Sequence, residues 1–108
     1  MTMIRINCFF QAGEGERDYK DALLAAILLA EKSIKHAGCV AYDVFQSASR
    51  SDVFMICETW QDRDSLDKHS TTPEFKQYCK IMNERGTLKI EQFELMADKR
   101  MHCHLHEG

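Results

Sequence analysis

From Met3 to Gln11 apolar and polar positions alternate, with Ile4, Ile6, Cys8 and Phe10 on one face and Arg5, Asn7 and Phe9 on the other. A two-residue period is that of a β-strand whose sides meet different surroundings. The glycines of Gln11-Ala12-Gly13-Glu14-Gly15 break it. Glu14, Glu16 and Asp18 then open a helix, where negative charge meets the positive end of the backbone dipole. The period changes to threes and fours through Tyr19, Leu23, Ala26, Ile27, Ala30, Ile34 and Ala37, which draws one apolar stripe down a helix. Lys32, Lys35 and His36 in its last turn and Gly38 beyond them predict an end near Ala37.

Cys39 to Gln46 reads as a second strand and Val53 to Gln61 as a third, with the polar run 47–52 between them short enough for a hairpin. Asp62-Arg63-Asp64-Ser65-Leu66 opens a short helical segment. Thr72 caps a second helix with Pro73 in its first turn and Phe75, Tyr78, Cys79 and Met82 on its buried side, and Gly86 stops it. Residues 87–95 alternate again as a fourth strand. The order βαββαβ predicts a ferredoxin-like α+β domain, four antiparallel strands with the helices on one face. That leaves the other sheet face bare and apolar, and a second copy covering it, a homodimer, is the economical answer. Residues 1–96 form the domain and 97–108 a tail.

At 108 residues the chain suits one core, since domains run from about 50 to 200 residues. A net charge of −3 argues against a nucleic-acid binder, which needs clustered Lys and Arg. No apolar run reaches the ~18–20 residues that span a bilayer, and Met1-Thr2-Met3-Ile4-Arg5 lacks the pattern of a secretory leader, so no membrane association and a cytoplasmic location are expected. The cysteines, Cys8, Cys39, Cys57, Cys79 and Cys103, are odd in number and form no C-x-x-C pair, which reads as reduced thiols. The absence of a Gly-rich nucleotide loop disfavours a bound flavin or nicotinamide, and no cofactor is expected.

Several residues carry candidate chemistry. Asn7 sits mid-strand, either bonded to neighbouring backbone or holding a substrate oxygen. Trp60 ends the third strand on the face of Phe54, Ile56 and Glu58, as core or as the wall of a pocket with one N–H to donate. Glu58, charged within an apolar strand, is either paired with a cation such as Arg5 or Lys68 or desolvated and free to act as a general base. His69 is a solvated or capping side chain, or the best proton acceptor near neutral pH. Tyr42, Phe9, Phe45 and Tyr78 are core or an aromatic wall. The tail His102-Cys103-His104-Leu105-His106 has enough ligands for zinc, nickel or copper but lacks a separated second pair, and no metal is assigned.

Gly38-Cys39, Tyr42, Phe54, Glu58, Trp60, Leu66, His69 and Phe75, with Glu-x-Trp closing the third strand, resemble the antibiotic biosynthesis monooxygenase family and its quinol monooxygenase-like branch. The resemblance covers residues 3–95. It implies a dimeric α+β barrel with one pocket per subunit between helices and sheet. Its members oxidise phenols or quinols with molecular oxygen and neither metal nor flavin, degrade haem, or isomerise a phosphorylated sugar. The expectation that follows is a cofactor-independent monooxygenase acting on a small quinol or related aromatic and molecular oxygen. His69 would accept the hydroxyl proton, Asn7 and Trp60 would position substrate and oxygen, and Glu58, Tyr42, Phe9 and Tyr78 would bind substrate. The alternatives are a haem-binding or isomerase member, in the former of which the matching histidine ligates iron and an Asn matches Asn7, and a non-catalytic small-molecule binding module.

Overall fold

The computed structural model of the chain describes residues 2–96. Its elements run β1 (Thr2–Ala12), α1 (Asp18–Ser33), β2 (Cys39–Gln46), β3 (Val53–Trp60), α2 (Arg63–Ser70), α3 (Pro73–Arg85) and β4 (Gly86–Met96). The strands form one antiparallel sheet in the order β2-β3-β1-β4, the ferredoxin-like α+β arrangement that the element order predicts.

The register explains the core. Ile4 lies opposite Trp60, Ile6 opposite Glu58, Cys8 opposite Ile56 and Phe10 opposite Phe54. Cross-strand partners share a face, and this one is buried beneath the helices. Phe10 and Phe54 stack with centroids 4.7 Å apart, and Tyr19 of α1 closes edge-on against Phe54 at 5.8 Å.

The stripe expected on α1 needs correction. Its buried positions are Ala22, Ala25, Ala26, Leu29 and Ser33, while Leu24, Ile27 and Ile34 stay exposed. Small side chains let the helix lie close against its neighbours, and close packing decides the rotation. The helix also ends at Ser33, short of Ala37. The Lys35 and His36 N–H groups bond to carbonyls three residues back, at 3.2 and 2.9 Å, the tightening common in a last turn. Gly38 then reverses the chain with a φ of 81°. A β-carbon there would collide with Ser65 of α2, so glycine is needed on both counts.

Arg5, Asn7 and Phe9 of β1 point to the opposite face, beside Met55, Cys57 and Thr59 of β3. Among the described residues no helix covers it, and Phe45 and Phe93 remain about half exposed, at 50% and 47%. Alternation continues unbroken along β4, which puts Phe93 opposite Arg5 and Leu95 opposite Met3 on this bare face, away from Leu88 and Ile90. No described helix is long and apolar enough to cross a membrane. Cys8, Cys39, Cys57 and Cys79 are free thiols. The histidine-rich tail, with Cys103, lies outside the described residues.

Candidate active site

Glu58 and Trp60 are two residues apart on β3, so both point beneath the helices. The Trp60 Nε1–H donates to Glu58 Oε1 at 2.8 Å in a buried setting. His69 reaches the same place from the last turn of α2. Two caps fix this helix: at its start Asp62 accepts from the Ser65 N–H at 2.9 Å, and at its end the Thr72 hydroxyl, which caps α3 by accepting from the Phe75 N–H at 3.2 Å, donates to the His69 carbonyl at 2.8 Å. The His69 ring is then held between Trp60, Phe75 and Tyr42, at centroid distances of 4.5, 4.9 and 5.6 Å.

Beyond His69 lies a chain of polar contacts to the surface. His69 Nδ1 is 3.0 Å from Nδ1 of His36, whose Nε2 is 3.1 Å from Glu74 Oε2. On the inner side His69 Nε2 lies 3.9 Å from Glu58 Oε1 and has no hydrogen-bond partner. The network assigns the tautomers. Glu74, whose carboxyl is held below the usual range by its own backbone N–H and by His36, accepts from the His36 Nε2–H. With His36 as a neutral imidazole its Nδ1 is then an acceptor, His69 Nδ1–H donates to it, and His69 Nε2 keeps a free lone pair.

Burial sets the proton affinities. Desolvation pushes the Glu58 carboxyl up to about 7, against the Trp60 N–H and the Tyr42 hydroxyl, which favour the carboxylate. Tyr42 does so from the neighbouring strand without forming a well-aligned hydrogen bond. His69 is held down to about 4, mainly by burial and then by His36, with Glu74 pulling the other way. Glu58 thus changes charge near neutral pH, where an acid–base group is most effective. Cys8 and Cys79 are pushed by burial up to about 12 and about 11 and stay thiols.

A cavity of about 240 Å³ opens beside this cluster. Glu58 and Tyr42 supply its buried polar groups. Ile6, Cys8 and Ile56 of the sheet and Leu29, Leu66, Phe75, Cys79 and Met82 of the helices form apolar walls, and exposed Arg63, Asp67, Ile90 and Gln92 form the rim. His69 and Trp60 are not among its walls; they stand behind Glu58. A second, larger hollow of about 410 Å³, near Arg50 and Lys89, contains no buried titratable group.

The structure therefore brings together Glu58, Trp60, His69 and Tyr42 and separates the other expected site residues from them. Asn7 and Phe9 lie on the far face of the sheet, by the same alternation that buries Ile6 and Cys8, and Phe9 borders the larger hollow. Tyr78 faces the groove between α1 and α3, beside Leu28 and Ile81. Glu58 has no cationic partner from Arg5 or Lys68: Arg5 points the other way and donates to Thr59 Oγ1 at 2.7 Å. His36 and Glu74 were not foreseen. His36 reads in the sequence as a charge for a helix end, and only the Gly38 reversal carries it over α2. Among the described residues no group of His, Cys, Asp and Glu has the geometry to hold a metal.

Residues 3–81 match the profile of the antibiotic biosynthesis monooxygenase family. A crystal structure from Bacteroides thetaiotaomicron, described as a conserved protein of unknown function and possible oxidoreductase, is 45% identical with a TM-score of 0.83, over 87% of this chain and 98% of that one. A Pseudomonas aeruginosa structure of the same fold is 24% identical with a TM-score of 0.80, over 90% and 97% of the two chains. An uncharacterized protein from Synechocystis is 31% identical over 48 residues, a stretch that spans 44% of this chain and only 33% of that protein. The family match covers β1 from Met3 onward, α1, β2, β3, α2 and α3 as far as Ile81, and the chain belongs to the antibiotic biosynthesis monooxygenase family.

Proposed function

We propose that the chain is a monooxygenase that uses no cofactor and oxidises a small quinol or related aromatic with molecular oxygen. The observation that carries this reading is Glu58: a buried carboxyl, poised near neutrality, at the inner wall of an apolar cavity. As carboxylate it takes the proton of a substrate hydroxyl, leaving an electron-rich phenolate that reduces oxygen. The stoichiometry closes without an outside reductant. A quinol and dioxygen give a hydroxyquinone and water, one oxygen atom entering the ring and the other leaving reduced.

Volume supports a single substituted ring. The cavity, about 240 Å³, exceeds the engineered ~150 Å³ cavity that takes benzene and falls below the ~300–1,000 Å³ of drug-sized sites. Haem does not fit the site: the His69 ring is enclosed by Trp60, Phe75 and Tyr42, and its free Nε2 faces Glu58 rather than open space. The sequence-based role of His69 as direct proton acceptor passes to Glu58, with His69 and Trp60 behind it.

The same proposal includes a homodimer, with the second copy on the bare sheet face, where Phe45 and Phe93 are exposed. Free thiols suit a reducing, cytoplasmic setting. Oxygen uptake and product analysis over a panel of monocyclic quinols, with Glu58→Gln, His69→Ala and Trp60→Phe alongside the parent, test the reaction. Turnover undiminished in Glu58→Gln removes Glu58 as base, and saturable binding without turnover leaves a binding module.

A further inference from the structure

Glu58 must lose the proton it takes from each substrate, and a bound ring fills the cavity through which water would otherwise collect it. On the side away from the cavity, His69 Nε2 is 3.9 Å from Glu58 Oε1, the imidazoles meet Nδ1 to Nδ1 at 3.0 Å, and His36 Nε2 meets Glu74 at 3.1 Å. We propose that His69, His36 and Glu74 form a proton relay between Glu58 and solvent, separate from the route by which substrate enters.

The proton balance is simple. Glu58 passes its proton to the lone pair on His69 Nε2, His69 passes its Nδ1 proton to His36 Nδ1, and His36 passes its Nε2 proton to Glu74, which releases it. Moved in concert, the protons make neither imidazole a cation, so the low basicity of buried His69 is no obstacle. Each transit leaves His69 protonated on Nε2 and His36 on Nδ1, and a half-turn of both rings, with proton exchange, restores the starting tautomers before the next proton. The first link alone is longer than a hydrogen bond, and a shift of about 1 Å in the Glu58 carboxyl closes it. Exposure rises along the path, from 0% for the His69 side chain to 18% for His36 and 29% for Glu74. The groups facing it are few. Tyr42, Cys8, Cys39 and Cys79 lie near Glu58, and Lys32 near Glu74. Lys68 shares the outer pocket with His36 and His69.

This inference rests on Glu58 as the base, and its test separates the two. With a quinol that the parent oxidises, His36→Ala and Glu74→Gln should lower kcat with KM unchanged. The loss should fall short of the about 10²–10⁴-fold that removal of a direct acid–base group costs. Added imidazole should restore His36→Ala, where the lost ring reaches the surface, and leave Glu58→Gln inactive. Undiminished turnover in Glu58→Gln defeats the base itself. An inactive Glu58→Gln beside unaffected His36→Ala and Glu74→Gln, or a slow His36→Ala that imidazole cannot rescue, defeats the relay alone. A readout without substrate is ¹⁵N NMR of the parent's histidines. The relay requires His69 protonated on Nδ1 and bare on Nε2, and a proton found on Nε2 overturns it.

Discussion

The Trp60 indole N–H donates to Glu58 Oε1 across 2.8 Å, from two residues further along the same strand and out of reach of water. It is the one well-formed hydrogen bond to this carboxylate among the described residues. A donor to a charged group contributes about 1.5–3 kcal/mol, and one pH unit corresponds to about 1.4 kcal/mol. Trp60→Phe keeps most of the ring and removes the donor. It should therefore move the Glu58 transition upward by about one to two pH units, since the ionised form alone loses support. The acid limb of the pH–kcat/KM profile measures this, and a limb that stays put or moves down contradicts it.

Glu58 and His69 bear on stability with opposite signs. Glu58 binds its proton more tightly folded than unfolded, about 7 against 4.5, so it costs stability as pH rises through that interval. His69 binds its proton less tightly folded, about 4 against 6.5, so stability is lost as pH falls through its interval. Between pH 4.5 and 6.5 the two slopes oppose. Glu58→Gln should remove one of them: urea denaturation should then show stability rising steadily up to about pH 6.5 and level above it. At pH 8 and above the variant should exceed the parent by roughly 3 kcal/mol. A parent more stable than Glu58→Gln at pH 8 reverses the sign and removes the desolvation argument.

What the sequence shows and what it hides follow from the range of the interactions. The strands were legible because alternation is local, and the βαββαβ order because turns and caps are local too. Alternation also placed Asn7 opposite Ile6 and Cys8, so its assignment to the site conflicted with the face on which it lies. The rotation of α1 was not legible. Ala22 and Ala25 look weakly apolar beside Ile27 and Ile34, yet close approach selects the small side chains. His36 was hidden for another reason: its contact with His69 spans 33 residues and depends on the turn at Gly38.

That turn makes a prediction of its own. Gly38 has a φ of 81° and no room for a β-carbon beside Ser65. Gly38→Ala should cost about 1–3 kcal/mol through backbone strain, with the steric conflict added. Because His36 enters over α2 through this turn, the His69 tautomer should become mixed in ¹⁵N spectra as the denaturation midpoint falls. A variant with parental midpoint and spectrum would show that the turn tolerates a side chain.

Cys79 tests the cavity as the binding site. It faces the space from α3 and remains a thiol. Cys79→Phe should fill much of the cavity with a ring, at a cost no greater than the about 1–3 kcal/mol of overpacking a solid core. Calorimetric titration with the quinol that the parent binds should then show affinity lost while the circular dichroism spectrum is kept. Unchanged affinity in a folded variant moves the binding site elsewhere.

Phe93 tests the bare face. It is 47% exposed on β4, beside Arg5 and away from the cavity, so replacing it leaves Glu58 and its surroundings untouched. In a two-fold dimer every contact occurs twice. Fully burying one large apolar side chain is worth about 1.5–3 kcal/mol, and with about half of Phe93 still to be covered the pair contributes roughly 1.5–3 kcal/mol, or at least about 10-fold in the dimer constant. Phe93→Glu removes that contribution and sets two carboxylates where the copies would meet. Sedimentation should find the parent as a dimer and the variant as a folded monomer. A parent that sediments as a single chain at micromolar concentration ends the dimer reading and leaves the exposed rings unexplained.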